Sequence, residues 1–207
     1  VPLRDISGSF LLTDKEFRLI ESNIAFAGGT ITRDPQRHLE KCSLVFGLAE
    51  HHPLRVSLLF NNIDLERLSA GEGGYRGSLS DHFRLEVPDR DPRSLEANFR
   101  VKAREAYIGE VPLLADLFRM LGSSAKPSFN HLKLVAKAAN AHVNVEEIKL
   151  ESNYFVIRGN GNYSLDGGLD LAFKASNPGS ILLNPLITYR MQGTLRDNDI
   201  YIESPIL

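Results

Sequence analysis

The side chains best suited to chemistry are sparse, and their spacing matches no known catalytic pattern. The six histidines lack the helical spacing of a zinc protease, and no Gly-x-Ser-x-Gly nucleophile elbow occurs. Cys42 is the only cysteine, so it has no partner for an internal disulfide or a multi-cysteine zinc site. A small buried apolar residue is favoured over a catalytic thiol at this position. We therefore predict no catalytic residue, no bound cofactor and no enzymatic activity.

Two smaller patterns could bind ions, but simpler interpretations are favoured. Asp89 and Asp91, like Asp197 and Asp199, have a spacing that can bind calcium, yet the glycine and distant glutamate of an EF-hand loop are missing. The segment 159–161 reads Gly-Asn-Gly, as in part of a phosphate-binding loop, but the third glycine and following helix are absent. Glycines within a strand more often mark a bulge or a close backbone approach. We predict no metal site.

Composition and charge are those of an ordinary folded protein. The chain has 207 residues, of which 43% are hydrophobic, and this length is sufficient for a sizeable core. A net charge of −2 gives no indication of nucleic-acid binding. No apolar run approaches the ~20 residues that span a bilayer. The chain begins with Val1-Pro2-Leu3 rather than a signal peptide, so we expect a fragment whose export signal or membrane anchor lies upstream.

Alternation with a period of two residues is the dominant pattern. Between Leu95 and Arg104, apolar side chains at odd positions alternate with polar side chains at even positions, which is typical of a strand with one dry face. Similar runs separated by turn residues occur around residues 6–12, 54–60, 83–87, 132–136, 155–165 and 169–173. We predict an antiparallel meander of about a dozen strands, which is more than one flat sheet usually holds, so it should curl.

One segment has the spacing of a helix instead. Between Pro112 and Leu121 the apolar residues fall on one helical face, and Gly122 suits the position after the helix end. Shorter helical turns are predicted at Asp64–Leu68 and Pro178–Leu186. One helix cannot cover the dry face of so many strands. Either the sheet folds onto itself as a sandwich, which alternation alone favours, or it leaves an apolar trough.

From Val111 onward a series of motifs occurs in order: the helix Val111–Gly122, the strand entry Phe129–Leu132, the pair Ile148–Ser152 and Phe155–Gly161, then Leu165–Leu171 and Met191–Leu195. In order and spacing these motifs resemble the AsmA-like C-terminal domain of bacterial envelope proteins. Before Val111, Asn23–Ile31 and Asn62–Leu68 look like the upstream β region of that family. The chain departs from the family after Leu195, where Arg196-Asp197-Asn198-Asp199 replaces a nearby proline.

The resemblance implies a mainly β fold, a curled antiparallel meander that forms a half-open apolar groove with one short amphipathic helix. It implies an upstream β-groove segment at residues 1–110 and an AsmA-like C-terminal domain at 111–207, joined in one sheet. Family members look like bridge-type lipid transfer proteins that are anchored in the inner membrane and extend into the periplasm. The family supplies no catalytic residue.

The expected function is therefore non-enzymatic phospholipid transport or envelope biogenesis, with lipid acyl chains, and possible envelope proteins, as partners. Burial of acyl chains needs no specific polar contacts, so the predicted site is a set of groove-lining residues. They are Phe99, Val101, Leu132, Leu134, Phe155, Ile157, Leu169, Leu171 and Phe173. The alternative is a structural or assembly module of the envelope in which the same residues form a closed β-sandwich core.

Overall fold

A computed structural model describes residues 4–33, 44–48, 54–69, 75–88, 94–107, 128–153, 155–164, 167–176, 188–194 and 197–203. Within these ranges the chain forms thirteen strands, all in one antiparallel sheet, and one short helix, α1 (Leu65–Leu68). The predicted mainly β antiparallel meander is therefore confirmed. The strands are β1 (Arg4–Leu12), β2 (Glu16–Phe26), β3 (Gly29–Arg33), β4 (Leu44–Gly47), β5 (Leu54–Asp64), β6 (Arg76–Val87), β7 (Glu96–Tyr107), β8 (Ser128–Ala139), β9 (His142–Glu151), β10 (Val156–Ser164), β11 (Gly168–Ser176), β12 (Thr188–Thr194) and β13 (Asn198–Glu203).

The strands follow one another across the sheet in chain order, except that β3 and β4 both lie between β2 and β5, pairing with different parts of these two strands. In the described part of the chain, β1 and β13 each have a single hydrogen-bonded neighbour, so the sheet is open at both edges. The predicted boundary between residues 110 and 111 falls between β7 and β8. These two strands pair from Glu96 opposite Ala139 to Tyr107 opposite Ser128, so the sheet continues across that boundary.

The one described helix is short and begins where the sequence indicated. Asp64 is its N-cap, and the carboxylate accepts two backbone N–H groups of the first turn, at 2.9 and 3.2 Å. The helical turn predicted at Asp64–Leu68 is thus confirmed. The amphipathic helix predicted at Pro112–Leu121 and the turn predicted at Pro178–Leu186 lie outside the described residues.

Two hairpins have two-residue turns with left-handed backbone. Ala27 and Gly28 have φ of 46° and 79° between β2 and β3, and Asn140 and Ala141 have φ of 51° and 62° between β8 and β9. Positive φ at both central residues matches the right-handed twist of the flanking strands. The glycines at 28–29 indicated the first turn. The second was not predicted, because Asn-Ala is a weak turn signal.

Candidate functional site

One face of the sheet is apolar across nearly its whole width. Paired residues form continuous rows that cross the strands, and we call this surface the apolar face. One row runs through Leu58, Phe83, Phe99, Ala136, Val145, Gly161, Leu171, Met191 and Ile200. A second runs through Ile63, Leu79, Ala103, Leu132, Leu150, Ile157 and Ala175. With strands ~4.8 Å apart, the first row extends roughly 38 Å along the sheet.

The apolar face also continues toward the other edge of the sheet. Leu54 is paired with Phe46, Phe46 with Phe17, and Phe17 with Leu12 of the edge strand. The rings of Phe10 and Phe17 are stacked, with centroids 5.9 Å apart. Apolar pairs on this face therefore reach the edge strand β1 as well as β13.

The structure brings the nine predicted groove-lining residues together on this face. Eight lie within its strands, and Phe155 lies just before β10, where its ring meets Phe129 edge-on at 6.5 Å. They divide into two groups by exposure. Those on β7 and β8 are partly buried, namely Phe99, Val101, Leu132 and Leu134. Those from Phe155 onward are 0–8% exposed, namely Phe155, Ile157, Leu169, Leu171 and Phe173.

The buried group belongs to a packed cluster in the C-terminal half of the sheet. Sequence reasoning missed several of its members, including Phe129, Leu150, Tyr189 and Met191, of which Met191 is fully buried. Tyr189 and Met191 alternate with polar residues, so the period-two signal was present, but it spans only one short strand. Phe129 was recognised only as part of a motif, without a prediction of burial.

The apolar face is most exposed on the N-terminal edge strand. Ile6 and Phe10 are each 67% exposed and Leu12 is 63% exposed, whereas the C-terminal cluster is almost completely buried. Between these extremes burial is mixed: Leu58 and Val101 are partly buried, but a second buried cluster is formed by Ala27, Ile31 and Ile63. Apolar side chains in the same alternating pattern are therefore buried to different extents along the sheet.

The opposite face is polar, and oppositely charged side chains pair across its strands. Lys133 pairs with Glu147 at 2.6 Å and Arg55 with Glu86 at 2.8 Å. Lys149 holds the pKa of the Glu151 carboxyl below its usual range by a hydrogen bond, and slight burial opposes this effect only in part. We call this surface the polar face. Among the described residues, no three His, Cys, Asp or Glu side chains are grouped so as to hold a metal ion.

Comparison with known proteins does not assign the chain to a family. No protein-family model matches it, and no curated protein or solved structure is detectably similar to it. Within the described ranges, no helix is both long enough and apolar enough to cross a membrane. The likeness to AsmA-like proteins therefore rests on the motifs quoted above.

Proposed function

We propose that this chain is a non-enzymatic lipid-carrying module of the AsmA-like type, which holds acyl chains against the apolar face and acts in the periplasm in lipid transport or envelope biogenesis. One observation carries the proposal. Apolar pairs continue across nine neighbouring strands, and several large apolar side chains over β5 to β8, such as Leu58, Phe83 and Phe99, are only partly buried. A monomeric soluble protein seldom exposes an apolar strip of this extent unless another molecule binds there.

The chemistry of the face suits a ligand with a long hydrocarbon chain. Each CH₂ group removed from water contributes roughly 0.8 kcal/mol, without any directed contact. Phe99 and Val101 are partly buried on this face, while the intervening Arg100 projects to the polar face and is exposed. A lipid could therefore bury its tails on one side while charged side chains keep the other side hydrated.

The partly exposed side chains favour binding over β5 to β8 rather than over the C-terminal strands. Ile157 and Phe173 are 0% and 2% exposed, so a chain bound there would have to displace packed side chains. Leu134 and Val101, which lie opposite each other, keep partly exposed surface. The C-terminal cluster then acts as a stable end of the module.

The second candidate is a structural or assembly module of the envelope, and the burial of the C-terminal cluster favours it. A row of residues with 0–8% exposure is what the closed core of an ordinary domain contains. In that case the exposed residues on β1 would contact another envelope protein instead of lipid.

Site-specific photocrosslinking separates these candidates. A photoreactive phenylalanine analogue is introduced at Phe99, on the apolar face, and as a matched control at Arg100, one residue along the same strand but on the other face. The protein is expressed in bacteria and exported to the cell envelope. It is then irradiated, and mass spectrometry identifies any lipid that is crosslinked to it. We expect lipid adducts at position 99 and none at position 100.

Equal labelling at both positions, or no lipid at either, contradicts the lipid-carrying proposal. Protein adducts at position 99 without lipid favour the assembly module. Extraction of co-purifying lipid from the unmodified chain provides an independent measurement, because it does not depend on the substitution.

A further inference from the structure

Two adjoining hollows lie on the polar face, opposite the surface proposed to hold lipid. One, of about 360 Å³, is lined mainly by polar side chains of β5, β6 and β7, including Asn61, Ser80, Asp81 and Lys102. The other, of about 460 Å³, is lined by Asp64, Glu66, Gly77 and Glu105. Ser78 and Arg104 line both hollows, so the two adjoin, and we call them together the depression.

Unusual backbone conformations occur in each of the three neighbouring strands that line the depression. Asn62, Asp81 and Glu105 have positive φ of 51°, 125° and 51°, and Gly77 has φ of 105°. The pairing of β5 with β6 has a register shift between Phe60 and Ile63, and the pairing of β6 with β7 has one between Arg76 and Ser78. Strained non-glycine residues of this kind cluster at binding sites more often than elsewhere.

One wall of the depression is held rigidly by Asp81. The Asp81 side chain is only 8% exposed, and its carboxylate lies 2.8 Å from the Lys102 ammonium and 2.9 Å from Nδ1 of His82. It also accepts the backbone N–H of His82 at 3.0 Å. The charge of Asp81 is thereby neutralised by Lys102, and this wall presents fixed polar groups rather than a free anion.

The donors around Arg104 are left without partners. Among the described residues, no hydrogen bond or ion pair engages the Arg104 guanidinium, the Ser78 hydroxyl or the side-chain amide of Asn61. A guanidinium, a hydroxyl and a side-chain amide are all donors that a phosphate or carboxylate can accept from, and here they line one hollow. Lys102 is 56% exposed, so it adds positive potential while it pairs with Asp81.

The second hollow has the opposite charge. Glu66 and Glu105 are exposed there and form no ion pair within the described ranges, and Asp64 adds a third carboxylate. These groups would repel a simple dianion such as phosphate, but they would attract a ligand that also has an ammonium group. Leu59 is the one apolar residue among those lining the two hollows, so the described depression offers no room for lipid tails.

We propose that this depression binds a small water-soluble zwitterion, with its phosphate on Arg104, Ser78 and Asn61 and its ammonium toward Glu66 and Glu105. The site is independent of the lipid-carrying proposal, because it lies on the other face of the sheet and needs no occupant of the apolar face.

Titration with three soluble compounds tests this site. O-Phosphoethanolamine, inorganic phosphate and ethanolamine are added separately to the ¹⁵N-labelled chain, and amide shifts are followed by NMR. We expect O-phosphoethanolamine to shift the amides of Ser78, Arg104 and Glu105, and to bind at least tenfold more tightly than either other compound. A tenfold difference in affinity corresponds to about 1.4 kcal/mol.

Matched variants assign the two ends of the ligand. Arg104→Gln should weaken binding by about tenfold or more, whereas Arg100→Gln, an exposed arginine on the same face of the same strand, should leave it unchanged. Glu105→Gln should reduce the ratio of the affinity for O-phosphoethanolamine to the affinity for inorganic phosphate. Glu96→Gln, on the same strand, should leave this ratio unchanged. If Arg104→Gln fails to fold, Asn61→Ala tests the residues that are proposed to bind the phosphate group. Phosphate binding as tight as the zwitterion, equal effects of the 104 and 100 variants, or no shift at Ser78 and Arg104 overturns the proposal.

Discussion

Phe173 of β11 lies directly opposite Gly159 of β10, and its ring occupies the space that a side chain at position 159 would need. A Cβ atom built at Gly159 would clash with the ring of Phe173 and would lie 2.7 Å from the carbonyl oxygen of Ala172. The Gly-Asn-Gly sequence thus serves close packing of the cluster. The interpretation as a strand with close backbone approach is supported over a phosphate-binding loop.

Gly159→Ala should therefore destabilise the chain by about 1 to 3 kcal/mol, because one added methyl group overpacks a site with no free volume. Urea unfolding of the variant measures the loss. Phe173→Leu should cost less in the Gly159→Ala background than in the parent chain, because the smaller side chain relieves part of the clash. Additive effects in this double-mutant cycle would show that the two residues are not coupled.

The difference in exposure across the apolar face predicts very different costs for the same truncation. Ile157 is 0% exposed and Ile6 is 67% exposed. Ile157→Ala should cost about 2 to 5 kcal/mol, because it leaves a cavity in a packed cluster. Ile6→Ala should change the free energy of unfolding by less than about 0.5 kcal/mol. Similar losses for the two variants, measured by chemical unfolding, would contradict this difference in burial.

A charge on the apolar face should separate folding from lipid binding. Val101→Asp places a carboxylate where partial exposure lets it reach water, so we expect a folded protein with little co-purifying lipid. Phe173→Asp buries the charge at a position that is 2% exposed, and we expect a loss above about 4 kcal/mol. The measurements are thermal unfolding and mass spectrometry of extracted lipid. A Val101→Asp variant that retains the lipid content of the parent chain would count against the proposed binding region.

The choice of Val101 follows from structure rather than sequence. The groove hypothesis predicted from sequence that an aspartate at one or more of Phe155, Ile157 and Phe173 would abolish lipid loading without unfolding the chain. These three are 8%, 0% and 2% exposed, so a charge at any of them tests the stability of the cluster more than its contact with lipid.

The pairing of Arg190 with Asp170 predicts a pH dependence of stability. Arg190 donates to both carboxylate oxygens of Asp170, at 2.9 and 2.8 Å, and to Glu203 at 3.1 Å. The Arg190 hydrogen bond holds the pKa of Asp170 below its usual value, although burial slightly opposes it. A lowered pKa means that the stabilisation is present above the unfolded pKa of about 4 and is lost as the pH falls below it.

Asp170→Asn should therefore destabilise the chain at pH 7, and the difference from the parent should disappear as the pH falls below about 4. High salt should also reduce the difference, because both side chains are partly exposed. Asp199→Asn is the control, since Asp199 is exposed and forms no ion pair in the described part of the chain. A difference between Asp170→Asn and the parent that grows on acidification would contradict this account.

The sequence by itself determined the strands and the faces to which their side chains point. Between Leu95 and Arg104 every second residue is apolar, and the structure places Ala97, Phe99, Val101 and Ala103 on one face as that pattern predicts. Turn residues such as Gly28 also gave the hairpin order. These features are local, because a strand's alternation and a turn's backbone preference depend only on neighbouring residues.

Only the tertiary structure decided the irregularities around Asn62 and Glu105, the burial and the polar depression. Glu105 is an ordinary residue in sequence, yet its left-handed backbone lies between Ala103 and Ala106, both of which are buried. Phe10 and Phe173 have the same side chain in similar alternating runs, but one is 67% and the other 2% exposed. How deeply a side chain is buried depends on residues distant in sequence. The same is true of which residues line the depression, where Asn61, Ser78 and Arg104 come from three strands. Periodicity predicts neither property, because it describes one strand at a time.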